Sequence, residues 1–304
     1  MSHYLLTTTG LTKQFGNHKA VNQVDMHIKK GAIYGFIGRN GAGKTTFLKM
    51  ISGLSTSDAG DIELFGCRGR ELKEIRHRIG CLIETPGLYP NMSARDNLKI
   101  KCYFCGVKKK GYIEELLEIV GLGNVGKKKT KAFSLGMKQR LGLALALVGE
   151  PDLLVLDEPI NGLDPQGISE IRSIITQLQE KHNMTILISS HILEELSKIA
   201  TDYGIIHNGV MLQELTKDEL MKRCEERMEF VLDSPEQALP VLDRLGYHNY
   251  QVVDQHKIQI FERLDESAAL NMELSRAGIP VREVSLTSEE LETYFLNLTG
   301  GDAQ

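Results

Sequence analysis

Short, almost wholly apolar runs bounded by glycine-rich or polar turns recur along the first two thirds of the chain. Residues 32–37, 153–156 and 184–188 are three of them. Runs this short and this uniformly apolar are expected of central strands in a parallel sheet covered on both faces. After the first run comes a glycine-rich turn, and residues 45–54 then carry helical spacing at Phe47, Leu48 and Ile51. The order strand, loop, helix is therefore predicted there. The first 28 residues alternate around Leu5, Val21, Val24 and Ile28, which predicts short antiparallel strands at a sheet edge. Between about 84 and 147 the pattern changes to helical periods, with Ile113, Leu116, Leu117 and Val120 on one face, predicting a mostly helical subdomain. Runs at 203–207 and 210–214 flank Asn208-Gly209, a pair suited to the positive φ angles of a type I′ hairpin.

Beyond residue 216 the character differs. Strand (229–232), helix (235–245), strand (250–253), strand (257–261), helix (267–277) and strand (280–284) follow in the order of a split βαβ, ferredoxin-like unit, with a short helix from Ser288. The expected organisation is an α/β domain over 1–215 and a small accessory α+β domain over 216–304.

Composition narrows the class. With 41% hydrophobic residues the chain can bury a sizeable core, and 36 basic against 40 acidic side chains leave a net charge of −4, which calls for no nucleic acid partner. The lysine clusters at 108–110 and 127–131 read as solvated helix ends, with anionic lipid or a partner as the rival. Five cysteines without a secretory leader argue against a disulfide framework. Cys102 and Cys105 form one CxxC lacking the second pair of a zinc site, so packing cysteines are expected. The longest apolar run, 141–148, is far below the roughly 20 residues of a membrane helix.

Candidate chemistry concentrates in the turn after the first apolar run. Gly38-Arg39-Asn40-Gly41-Ala42-Gly43-Lys44-Thr45 satisfies GxxxxGK[ST], with the strand before it and the helix after it that the motif requires. Its glycines let several N–H groups point inward, and the helix amino terminus adds about half a positive charge where phosphate lies. Lys44 is placed to reach the β- and γ-phosphates of a nucleoside triphosphate, Thr45 to put its hydroxyl on Mg²⁺, and Thr46 to donate to a further phosphate oxygen. Asp157 and Glu158 close the 153–156 run, at the carboxyl end of a central strand where α/β sheets bind ligands. Asp157 is the expected Mg²⁺ holder; Glu158 is the expected base that orients the attacking water.

Taken together these residues resemble the ATPase subunit of an ABC transporter, over roughly 5–214. Phe133-Ser134-Leu135-Gly136-Met137 is similar to the family signature LSGGQ, and Lys138-Gln139-Arg140 continues it. The resemblance implies an ABC-type P-loop ATPase core with antiparallel β and helical subdomains. It implies that Ser134 and the N–H of Gly136 bind the γ-phosphate of ATP held by a second copy, so that one chain carries half-sites. Asn161-Gly162-Leu163-Asp164 resembles the D-loop, which assigns Asp164 to that shared site. His191 matches the switch histidine that contacts the γ-phosphate, and Phe15 falls where the family often stacks an aromatic on adenine.

The sequence departs from the family pattern in two places. The signature has Leu135 and Met137 where glycine and glutamine are commonest. Glu84 stands where a glutamine usually links Mg²⁺ to the permease, and an ionised carboxylate, unlike an amide, cannot donate. With the accessory domain, these features look most like the bacitracin-resistance and lantibiotic-immunity exporters. That implies integral-membrane permease chains as partners, a homodimer around a nucleotide sandwich on the cytoplasmic face of the membrane, and export of a peptide antibiotic. The rival readings are an ABC-type ATPase acting on nucleic acid or ribosome, and a non-transport ATP-dependent adaptor.

Overall fold

The computed structural model describes residues 4–224, 226–287 and 291–299. The chain divides into two compact units, Met1–Lys217 and Asp218–Gln304.

The first unit contains two sheets. Strands β1 (Tyr4–Phe15) and β2 (His18–Lys29) pair antiparallel; after β3 (Ile33–Ile37), β4 (Ala59–Leu64) and β5 (Cys67–Arg68) extend them to the order β2-β1-β4-β5. The expectation of short strands at the edge of one sheet is corrected here: β1 and β2 have 12 residues each and belong to a separate antiparallel sheet. Their alternation reads as broken because the β1–β2 register shifts between Thr8 and Leu11, around Gly10 at φ 59°, and a bulge changes which face successive side chains take.

The second sheet holds β3 together with β6 (Ile79–Leu82), β7 (Leu153–Asp157), β8 (Thr185–Ser190), β9 (Asp202–His207) and β10 (Val210–Thr216), in the order β10-β9-β3-β8-β7-β6. All its pairings are parallel except β9 with β10. Every residue of β3, β7 and β8 is buried, so the apolar runs are what a two-sided central strand requires. The hairpin at Asn208 and Gly209 has φ of 48° and 78°, positive at both as a type I′ turn demands.

Helix α1 (Lys44–Ile51) shares one core cluster with both sheets: Phe47 and Leu48 pack with Leu6, Val24 and Met26 on one side and with Phe36, Val155 and Leu187 on the other. The Phe36 and Phe47 rings lie 5.1 Å apart, both fully buried, and truncating either costs about 3–5 kcal/mol. That packing holds the start of α1 still.

A short helix α2 (Leu72–Ile75) precedes β6, and the helical region follows it as α3 (Ala94–Phe104), α4 (Tyr112–Ile119) and α5 (Leu135–Ala146). A capping box between Ser93 and Asp96 starts α3. Helices α6 (Pro165–His182) and α7 (Leu193–Ser197) complete the unit; Asp164 caps α6 and Asn183, at φ 48°, ends it.

After α8 (Lys217–Cys224), the second unit forms β11 (Arg227–Leu232), α9 (Leu239–Leu245), β12 (Tyr250–Val252), β13 (Lys257–Ile260), α10 (Ser267–Arg276) and β14 (Val281–Thr287), then α11 (Leu291–Leu298). Its sheet is antiparallel in the order β12-β13-β11-β14, the split βαβ arrangement, closed over Phe230, Leu242, Ile258, Ile260, Leu270 and Leu274. The start predicted for the last helix, Ser288, lies outside the described residues.

Candidate functional site

The carboxyl ends of β3, β7 and β8 converge, and the predicted phosphate-site residues sit on them. The turn after β3 is shaped by close backbone approach. A Cβ on Gly38 would lie 2.6 Å from the carbonyl oxygen of Ile206, and one on Gly43 would lie 2.2 Å from that of Ala20. Gly43 also adopts φ 105°, a conformation that side chains rarely take. It starts α1 with no side-chain cap, so the first amides of the helix point into the loop without a capping side chain. Arg39, Asn40 and Gly41 are exposed, Ala42 is buried, and Thr46 is half-buried on the first turn.

Lys44 is only 5% exposed. Its Nζ donates to the carbonyl of Gly38 at 2.6 Å and to that of Arg39 at 3.3 Å, and it forms an ion pair with Glu158 Oε1 at 3.0 Å. The lysine thus closes its own loop and meets the carboxylate at the end of β7, which supplies the charge partner a buried ammonium needs. The other oxygen of Glu158 accepts from His191 Nδ1 at 2.8 Å. Glu158 itself sits at φ 48°, a left-handed conformation that turns the chain sharply after β7.

Beside this pair, Thr45 Oγ1 donates to Asp157 Oδ2 at 2.7 Å. Asp157 is 5% exposed, and its second oxygen accepts from Ser189 Oγ at 2.6 Å. The same Ser189 hydroxyl accepts from the amide of Glu158 at 3.0 Å, so one buried hydroxyl positions both acids. Sequence reading passed over Ser189, which looks like an ordinary β8 residue. The available signal was its place two residues before His191 at the end of a central strand. The parallel register then puts Asp157 opposite Ser189.

The structure therefore brings Lys44, Thr45, Asp157, Glu158 and His191 into one cluster, joined by hydrogen bonds and, at Lys44, by its ion pair with Glu158. None of the described hydrogen bonds or ion pairs joins Phe15, Glu84, Ser134, Gly136 or Asp164 to it. Phe15 is 56% exposed at the tip of the β1–β2 turn, with Lys13 Nζ 5.6 Å from its ring centroid, so it is not a core residue. Ser134 caps α5 by accepting from Met137 N at 3.2 Å, and Asp164 caps α6 by accepting from Gly167 N at 3.0 Å. These two caps are neighbours: a Cβ on Gly162 would come 3.4 Å from Leu135 Cδ2, and one on Gly136 would come 3.8 Å from Leu163 Cδ2. Glu84, exposed and at φ 61°, pairs with Lys49 Nζ at 2.6 Å. Lys49 lies one helical turn beyond Thr45 on α1 and was not foreseen as its partner.

The five cysteines are free thiols. Of the CxxC pair, Cys102 is buried as a packing residue, whereas Cys105 is exposed, which corrects the expectation for Cys105. Among the described residues no helix is long and apolar enough to cross a membrane.

A glycine-rich loop leading into α1, paired acids at the end of β7 and a histidine after β8 are the arrangement of an ATP-binding cassette. The ABC transporter family model matches residues 21–161, and the chain belongs to that family as one of its ATP-binding, ATP-hydrolysing subunits. It is similar to the bacitracin transport ATP-binding protein BcrA of Bacillus licheniformis, 44% identical over 299 residues, or 98% of each chain. The lantibiotic transport ATP-binding protein SrtF of Streptococcus pyogenes is 46% identical over 214 residues, covering 70% of this chain and 92% of the relative. Among solved structures, the ATP-binding cassette MJ0796, in a dimeric post-hydrolysis state bound to ADP and Pi, shares the fold at a TM-score of 0.63. That match has 23% identity and covers 70% of this chain and 98% of the other.

Proposed function

We propose that this chain hydrolyses ATP with Mg²⁺ between two copies of itself and drives a separate membrane permease that exports a peptide antibiotic. The observation that carries the reading is the cluster in which Lys44 and His191 hold Glu158 while Thr45 and Ser189 hold Asp157. The substrate class follows the relatives. The bacitracin protein matches across both units, whereas the lantibiotic protein matches 70% of the chain.

The donor set fits a hard divalent cation: Thr45 Oγ1 and a buried Asp157 carboxylate, 2.7 Å apart, are both oxygen ligands. When bound, Mg²⁺ neutralises charge on the β- and γ-phosphates. The remaining chemistry belongs to the chain. Amides of the 38–46 loop and the α1 amino terminus receive the phosphates. Lys44 exchanges its carbonyl contacts for β- and γ-phosphate oxygens. Glu158, freed on one oxygen, orients the attacking water and takes its proton, and His191 Nδ1–H keeps the other oxygen fixed. The second copy supplies Ser134, the Gly136 amide and Asp164, and Phe15 stacks on the adenine.

Coupling runs outward through Glu84. Its neighbours Ile83 and Thr85 line a groove of about 340 Å³ with Leu54, Tyr89 and Phe104, between β6 and the helical region. A permease helix seated there moves Glu84, and Glu84 acts on α1 through Lys49. This assembly places the chain on the cytoplasmic face of the membrane, held by the permease. The test is Glu158→Gln: ATP turnover falls about 10²- to 10⁴-fold with ATP binding retained, and cells carrying it with the permease lose bacitracin resistance. Wild-type turnover in that variant would remove Glu158 from the role of base.

A further inference from the structure

The helical region carries charge out of proportion to the rest of the chain. Residues 84–147 hold twelve Lys and Arg against five Asp and Glu, a net of +7, although the whole chain is −4. Three of these basic residues, Arg95, Lys99 and Lys101, lie on α3, and the two lysine clusters lie near its ends. On α3, Arg95, Lys99 and Tyr103 follow each other at four-residue steps on the exposed face, while Ala94, Asn97, Leu98 and Cys102 face inward. Tyr103, 83% exposed, stands at the end of that stripe, and lysines 108–110 come just after the helix. The second cluster lies at the other end. Lys129 forms a backbone bridge with Ser93, the α3 cap, and the amide of Lys131 donates to the carbonyl of Pro90 at 2.9 Å. A cationic strip therefore extends from residues 127–131 along α3 to residues 108–110.

Of the four acids on α3 and α4, all but Glu118 are occupied among the described residues. Asp96 is held by Ser93 in the capping box, Glu114 pairs with Arg95, and Glu115 pairs with Lys109. Within the two clusters, only Lys109 takes part in an ion pair among the described residues.

We propose that this strip rests on the surface of an anionic phospholipid bilayer, so that the chain touches lipid headgroups directly as well as through a permease. Unpaired lysines outside a buried core are attracted by the negative surface potential of such a membrane, and a tyrosine at the end of the strip suits the headgroup layer. The apolar side of α3 stays in the protein, so contact is electrostatic and superficial rather than inserted. The proposal does not depend on the identity of the exported substrate.

The experiment is flotation of the purified full-length protein, without permease, on vesicles of phosphatidylcholine alone or with 30% phosphatidylglycerol. Binding is expected only to the anionic vesicles at low salt, with loss at 0.5 M salt as the Debye length shortens. Each lysine removed should lower partitioning about fivefold, so K108Q/K110Q/K127Q/K129Q should abolish flotation while ATP hydrolysis continues at the wild-type rate. Y103S should weaken binding in a way that salt does not reverse. No flotation of the wild type, equal binding to neutral vesicles, or unchanged binding by the quadruple variant each overturns the proposal. Recruitment only to neutral vesicles containing a permease overturns it as well, and assigns the strip to a protein partner.

Discussion

Ser189→Ala removes one oxygen atom from the interior of the site, and its cost can be worked out from the contacts it breaks. The hydroxyl is fully buried, donates to Asp157 Oδ1 at 2.6 Å and accepts from the Glu158 amide at 3.0 Å. That amide keeps a second partner in the Ser189 carbonyl at 3.2 Å, so it is not orphaned by the change. The Asp157 oxygen is: a buried carboxylate loses a charge-assisted bond, which costs about 1.5–3 kcal/mol. In a unit of this size that lowers Tm by roughly 5–10 °C. The second effect is functional. Asp157 then keeps only its Thr45 bond, and loss of such an orienting contact typically weakens metal affinity 10- to 100-fold. Thermal unfolding by circular dichroism and steady-state ATP hydrolysis titrated with Mg²⁺ separate the two. The neighbouring Ser190→Ala is the control, since its hydroxyl accepts from the Ile192 amide at 3.0 Å and meets no carboxylate. It should cost about 1 kcal/mol and leave the Mg²⁺ midpoint in place. If Ser189→Ala shifts neither Tm nor the Mg²⁺ midpoint more than Ser190→Ala does, the idea that one hydroxyl organises both acids is wrong.

Gly43→Ala must place a Cβ 2.2 Å from the Ala20 carbonyl at φ 105°, so it should abolish ATP binding and cost about 2 kcal/mol or more; calorimetric titration with ATP reports the first. Glu84→Gln removes the charge paired with Lys49 and should change how strongly the permease stimulates hydrolysis while basal turnover changes less than threefold, about 0.6 kcal/mol. Unchanged stimulation would count against coupling through Glu84. In the second unit, burial raises the Glu229 pKa, but hydrogen bonds from Arg227, Lys257 and Gln259 outweigh it and leave the carboxyl below its ordinary 4.5. A folded-state pKa below the unfolded one gives stability present above pH 4.5 and lost as pH falls through the lower value. Acid titration of the second unit's unfolding, with Glu229→Gln for comparison, should show that slope in the wild type and a flatter one in the variant.

Motifs whose chemistry is local were readable from the chain alone. The 38–46 loop combines glycines, a lysine and a threonine at the GxxxxGK[ST] spacing, and the apolar runs before Asp157 and His191 identified their strands without any contact being known. Asn208-Gly209 announced its turn because few residue pairs tolerate two positive φ angles. The long strands β1 and β2 were harder to read, since a bulge at Gly10 interrupts the alternation on which strand reading depends.

Side-chain partnerships across distant segments were decided only by tertiary structure. Sequence placed Asp157 and Glu158 at a strand end and His191 beyond another; the parallel register of β7 and β8 set Ser189 between the two acids. Likewise Lys49 meets Glu84 across 35 positions because α1 packs between the sheets and β6 delivers Glu84 beside it. Hydrophobic period and turn chemistry are properties of neighbours along the chain. Which carboxylate a buried lysine or a lone serine finds depends on how the sheets stack, and no local pattern encodes that.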